Sequence, residues 1–225
     1  MGSSAQPTLR VPLLLLAVAN LAVLGLRIWP WQDVINLPVN GSVAIDPAVS
    51  LVGYMAIIFW LADSADQAVK KAMGTGTMLG ILGGALLVAE IFLSSQASSE
   101  DGTQAGSWAK GLFVATAIVW GLVGLRGARV AGTAGIGMLS AAWSAMVSCL
   151  IVSSALLGQF YLAGPAQASQ DTWTWKKYEG LAIGNPATQA LVHSLNSITF
   201  FLLVGPLVGA AAGLVFALFG NKSKG

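Results

Sequence analysis

Apolar stretches separated by short polar ones dominate the chain. Six of them, at 11–28, 47–62, 75–95, 108–126, 130–162 and 187–219, are close to or longer than the roughly 20 residues a helix needs to cross a bilayer. The first is interrupted only by Asn20 and Arg27 and ends at Trp29-Pro30-Trp31, an interfacial aromatic pair with a helix breaker between them. The second is short; Asp46 is a good N-cap for it and Pro47 suits its first turn. Residues 63–73 follow with Ser64 and Gln67 at capping-box spacing, and are expected to form a short amphipathic segment on the membrane surface. The last two runs are long for one crossing, and Gly205-Pro206 should kink the sixth. The pattern therefore predicts an all-α, polytopic membrane helix bundle of six transmembrane helices, forming one transmembrane domain over residues 1–225.

The first run also has features of a signal peptide, with Arg10 ahead of it and Ala17-Val18-Ala19 resembling a cleavage site. Its apolar character continues to Ile28, so an uncleaved first span is the expectation.

Composition agrees with this reading. Charged residues are only 9 % of the chain, against about 25 % in soluble domains, while 56 % are hydrophobic. Hydrocarbon penalises charge, so a bilayer protein carries little of it. A net charge of +2 gives no reason to expect a nucleic-acid partner. If the N-terminus is cytoplasmic, seven of the 11 Lys and Arg fall on the inner side: Arg10, Lys70, Lys71, Arg126, Arg129, Lys222 and Lys224. That split sets both termini inside, with Gly127–Arg129 as the inner turn between the fourth and fifth spans. The longest loops, 29–46, 96–107 and 163–186, then lie outside, as in a multi-pass protein of a prokaryotic inner (plasma) membrane.

Small residues recur at four-residue spacing. Gly76, Gly80 and Gly84 form one stripe and Gly205, Gly209 and Gly213 another, each a flat face on which a second helix can approach closely. Ala141, Ala145, Cys149 and Ser153 form a third, whose bland reading is packing within one bundle rather than a dimer face. The glycine triplets, with Leu24-Gly25-Leu26-Arg27 and Val123-Gly124-Leu125-Arg126, suggest a weak 3+3 inverted repeat of the kind many transporters contain.

Candidate chemistry is sparse. One histidine and one cysteine give no basis for a metal site or a bis-histidine haem, and no cofactor is expected. The signatures H-E-x-x-H, G-x-S-x-G, C-x-x-C and the P-loop are absent, so no enzyme is expected. Glu90 is the one carboxylate clearly inside a span, and an intramembrane acid marks a functional hypothesis by default. Arg27, Gln159, His193 and Asn196 fall near the same depth, toward the outer ends of their spans. The functional reading is an outer polar cavity binding a proton, ion or small solute. The structural reading, which we favour, is a neutralised pair of Glu90 with Arg27 or His193 that pins the bundle. The partners expected are the lipid bilayer and either another membrane protein or a second copy. The expected role is a non-enzymatic subunit or scaffold acting through helix packing and outer-face loops; the alternative is a small proton- or ion-linked transporter or channel centred on Glu90. Reporters fused within 29–46, 96–107 and 163–186 should all read as extracytoplasmic; a cytoplasmic signal from 163–186 would refute the topology.

Overall fold

A computed structural model describes residues 10–29, 45–64, 67–96, 103–168 and 186–221. Those residues are all-helical and form six helices: α1 (Arg10–Ile28), α2 (Ile45–Ser64), α3 (Gln67–Gln96), α4 (Thr103–Ala131), α5 (Ala134–Ala168) and α6 (Pro186–Asn221). Four of them, α3 to α6, are long and apolar enough to cross a membrane; α1 and α2 hold shorter apolar stretches, Val11–Leu26 and Ile45–Trp60. The expected outer loops and the Lys222 and Lys224 tail lie largely outside the described residues.

The helices outrun several of the expected spans, α4 beginning at Thr103 and α5 ending at Ala168, and two boundaries differ in kind. Residues 67–73 do not form a separate surface segment; they are the first two turns of α3, which runs unbroken for 30 residues. The helix continues straight through Gly74 into the bundle, and its inner side already packs there: Ala72 and Met73 are buried, and Met73 belongs to the core cluster that includes Trp143. Thr77 Oγ1 also donates to Met73 O, tying the backbone across the Gly74–Gly76 stretch. The turn between α4 and α5 is not at Gly127–Arg129 but at Gly132 and Thr133. Gly132 takes φ 75°, the left-handed conformation that ends a helix at little cost only in glycine. Its N–H returns to Ala128 O at 2.8 Å. Thr133 Oγ1 then accepts from Ile136 N at 3.4 Å, a long N-cap bond at the start of α5.

α5 is the hub. Its most apolar stretch is 67 % buried, against 33 %, 33 % and 28 % for α3, α4 and α6, because all three pack on it. α3 meets it through glycine: a Cβ on Gly80 would stand 2.6 Å from Ser144 O and 2.8 Å from Val147 Cβ, and one on Gly84 would stand 2.9 Å from Ile151 Cβ. α6 meets another face of α5 the same way, with Gly205 against Cys149, Gly209 against Ala145 and Gly213 against Ala141. Pairings that rise together make α3 parallel to α5; pairings that run in opposite senses make α6 antiparallel to it. α4 closes the remaining side, with Gly127 at Ser140 and Gly124 on the backbone of Gly213. α1 packs on α2 and α5, and α2 on α1 and α6.

The two sets of three helices are not packed alike. α4, α5 and α6 all pack on one another, while α3 turns away from α1 and α2 to join them. Gly25 and Gly124, matched in the expected repeat, also have unlike surroundings: nothing lies within 4 Å of a Cβ on Gly25, while Gly124 touches backbone.

Gly80→Leu and Gly209→Leu should each lower stability in detergent by about 1–3 kcal/mol, the usual cost of overpacking. Gly111→Ala, where a Cβ meets nothing within 4 Å, should melt at or above the wild-type temperature. Equal melting of all three variants would show that the close approaches do not hold the bundle.

Candidate functional site

Two groups of polar side chains come into question: those between the helices, and the outer set around Glu90. The first are buried mid-helix hydroxyl, indole and amide groups, each of which must find a partner because the bilayer core offers no water.

On the α3–α4–α5 side, Trp120 Nε1 donates to Ser148 Oγ at 3.2 Å, and Ser148 Oγ donates to Gly80 O at 2.8 Å, with Ser144 O at 3.0 Å as its alternative acceptor. Gly83 makes this junction possible: a Cβ there would stand 2.7 Å from Ser148 Oγ and 3.2 Å from Trp120 Nε1. Nearer the start of α3, Trp143 Nε1 donates to Thr77 Oγ1 at 2.9 Å. On the α1 side, Asn20 Nδ2 donates to Leu150 O at 3.1 Å while its Oδ1 accepts from Ser154 at 2.9 Å.

α2 and α6 are joined by a different device. Pro206 lies inside α6 and has no N–H, so the carbonyl four residues back, Leu202, lacks its helical donor. Tyr54 OH fills that role from α2 at 2.8 Å. The buried Cys149 thiol sits beside the same hydroxyl. Ser144 Oγ is buried with no protein partner.

The outer set is placed less tightly. Continuing the pairings Asn20–Leu150, Gly84–Ile151 and Gly205–Cys149 along the helices puts residues 27, 90, 159, 193 and 196 near one level. Of these, the described side chains are placed as follows. The Glu90 carboxylate is half-buried and accepts from Ser94 Oγ at 3.0 Å, one turn on in the same helix. His193 and Asn196 are exposed on α6, and among the described residues no ion pair joins Glu90 to His193. The side chains of Arg27 and Gln159 lie outside the described residues.

Nothing in the inter-helix set titrates near neutral pH, and its hydroxyl, indole and amide dipoles are aimed across helix boundaries. Its chemical capacity is to fix register and azimuth. Among the described residues no group of three or more His, Cys, Asp or Glu is placed to hold a metal ion. Sequence reasoning marked Asn20 as a polar interruption of the first run and passed over Tyr54, Trp120, Ser148 and Gly83. Pro206 was the available signal for Tyr54, since an in-helix proline in a membrane demands a donor from elsewhere. No protein-family model, curated protein or solved structure matches the chain.

Tyr54→Phe should cost about 0.6–1.7 kcal/mol, between the average and the largest value found for inter-helix hydrogen bonds in a membrane protein. In a Pro206→Ala background the cost should shrink, because the restored N–H can serve Leu202 O. Strict additivity of the two substitutions would show that the proline-freed carbonyl is not what Tyr54 satisfies.

Proposed function

We propose that this chain is a non-enzymatic, six-span integral membrane protein with both termini cytoplasmic, serving as a subunit or scaffold through helix packing and its outer-face loops. One observation carries the reading: with Ser144 the exception, the buried mid-helix hydroxyl, indole and amide groups are engaged in bonds within or between helices. A substrate path at mid-depth needs polar groups left for the substrate, as transporters provide there. Large apolar side chains remain on the outside of the bundle, Phe59, Met78, Phe200 and Leu207 among them, and offer surface to lipid or to another membrane protein. The orientation rests on the seven-to-four division of Lys and Arg.

The transport alternative draws on one feature, the half-buried Glu90 carboxylate near the end of α3. The two readings separate in proteoliposomes. As a scaffold, the purified protein should leave proton and cation leak at the level of empty liposomes, with wild type and Glu90→Gln alike. A pH-dependent flux abolished by Glu90→Gln in a normally folded variant would overturn the scaffold reading and establish transport.

A further inference from the structure

Lys70 and Lys71 stand in the first turns of α3, and Arg126 and Arg129 in the last turns of α4. The two helices are neighbours and antiparallel, with Gly83 beside Thr116 and Trp120, and Gly76 beside Val123. From the Gly76–Val123 level, Lys70 and Lys71 lie five to six residues further toward the same end, and Arg126 and Arg129 three to six. At 1.5 Å per residue all four fall within roughly 5–9 Å of that level, on axes about 8–10 Å apart. All four side chains are exposed. The Glu90 carboxylate is about 30 Å away along α3, near its other end.

The faces that carry Lys71, Arg126 and Arg129 continue as hydrocarbon. Met78 and Leu82 follow Lys71 at seven and eleven residues along α3, and Leu122 and Ile118 precede Arg126 by one and two turns on α4; all four are exposed. A ligand matched to this surface carries an anionic head at the bundle end and apolar chains that run up the helices. We propose that the α3–α4 end binds an anionic phospholipid, its phosphate against Lys70, Lys71, Arg126 and Arg129 and its acyl chains over Met78, Leu82, Ile118 and Leu122. The proposal rests on the membrane reading alone and holds for a scaffold or a transporter. Free phosphate shares the head chemistry but has nothing to place on the apolar stripes, which is why the lipid is the occupant. Juxtamembrane Lys and Arg attract anionic headgroups by about a factor of five each.

The test uses the full chain in liposomes with spin-labelled phosphatidylglycerol and phosphatidylcholine, reading the relative association of each with the protein. Wild type should select phosphatidylglycerol severalfold, and K70Q/K71Q/R126Q/R129Q should lose at least roughly fivefold of that preference. The charge-conserving K70R/K71R/R126K/R129K should keep it. If the neutralised variant does not fold, K71Q and R126Q singly supply the comparison. Equal association of the two lipids with wild type, or a preference unchanged by neutralisation, overturns the proposal. So does displacement of the labelled phosphatidylglycerol by inorganic phosphate beyond a chloride control of equal ionic strength, since the site would then take the free anion.

Discussion

Contact between backbones across α5 is the constraint on which the other placements depend. Gly80 lies on the Ser144 carbonyl, Gly209 on the Ala141–Ala145 stretch, and Gly124 on Gly213. At these points the glycine presents no side chain of its own, so the helices approach to a distance that a Cβ there would forbid. Lipid tails are as apolar as leucine, and burial of hydrocarbon gives little reason for membrane helices to associate. Close van der Waals contact over small residues supplies the attraction instead. Two glycine faces directed at one helix leave α5 the only position from which α3 and α6 are both satisfied, and α4 follows because Gly124 and Gly127 fit the seam they leave.

Hydrogen bonds refine this arrangement rather than create it. Each inter-helix bond in a membrane is worth on average about 0.6 kcal/mol, less than the roughly 1–3 kcal/mol at stake when a tight contact is overfilled. Their value is direction. The Trp120–Ser148–Gly80 chain sets the rotation of α4 about its axis, which glycine contacts alone leave loose, and Asn20 does the same for α1 by engaging both Leu150 O and Ser154. The Pro206–Leu202–Tyr54 arrangement shows why a proline can stand inside α6: the carbonyl it frees receives a donor from α2. α2 is thereby tied to α6 at a place that local helix rules alone would count as a defect.

Much of this was legible in the chain because the bilayer reduces the question to length and polarity. Apolar runs mark the helices, and four-residue spacing marks Gly76, Gly80 and Gly84 as one face. Which helix that face meets was not legible, since a flat stripe carries no address. Gly83 lies off the four-residue series, and only the Trp120–Ser148 junction explains it. The start of α3 was placed too late because Ser64 and Gln67, at capping-box spacing, suggested a separate surface segment; a cap signal does not say how far the helix it starts will run, and Ala72 and Met73 are already in the bundle. The turn at Gly132 was missed for a related reason. Gly127, Gly132 and Gly135 all stand near the boundary, and only backbone conformation separates the one that ends a helix from one that packs against Ser140. For the outer set, counting residues from helix ends gives depth but not azimuth; the structure adds that His193 and Asn196 are exposed on α6 and that Glu90 accepts from Ser94.

The distribution of polar groups also bears on what the bundle can do. Alternating access requires one set of helices to move against another, and the moving boundary must exchange its contacts at small cost. Here the boundaries of α5 with α3, α4 and α6 are those where glycine allows close approach and where Trp120 and Trp143 bridge helices. Sliding α3 by one turn along α5 would carry Gly80 past Val147 and take Gly80 O away from Ser148. The α1–α2 pair is held differently. Asn20 ties it to α5 and Tyr54 ties it to α6, each within a mainly apolar interface. The packing thus divides the fold into a glycine-packed α3–α6 core and an α1–α2 pair joined to it through Asn20, Tyr54 and apolar contacts.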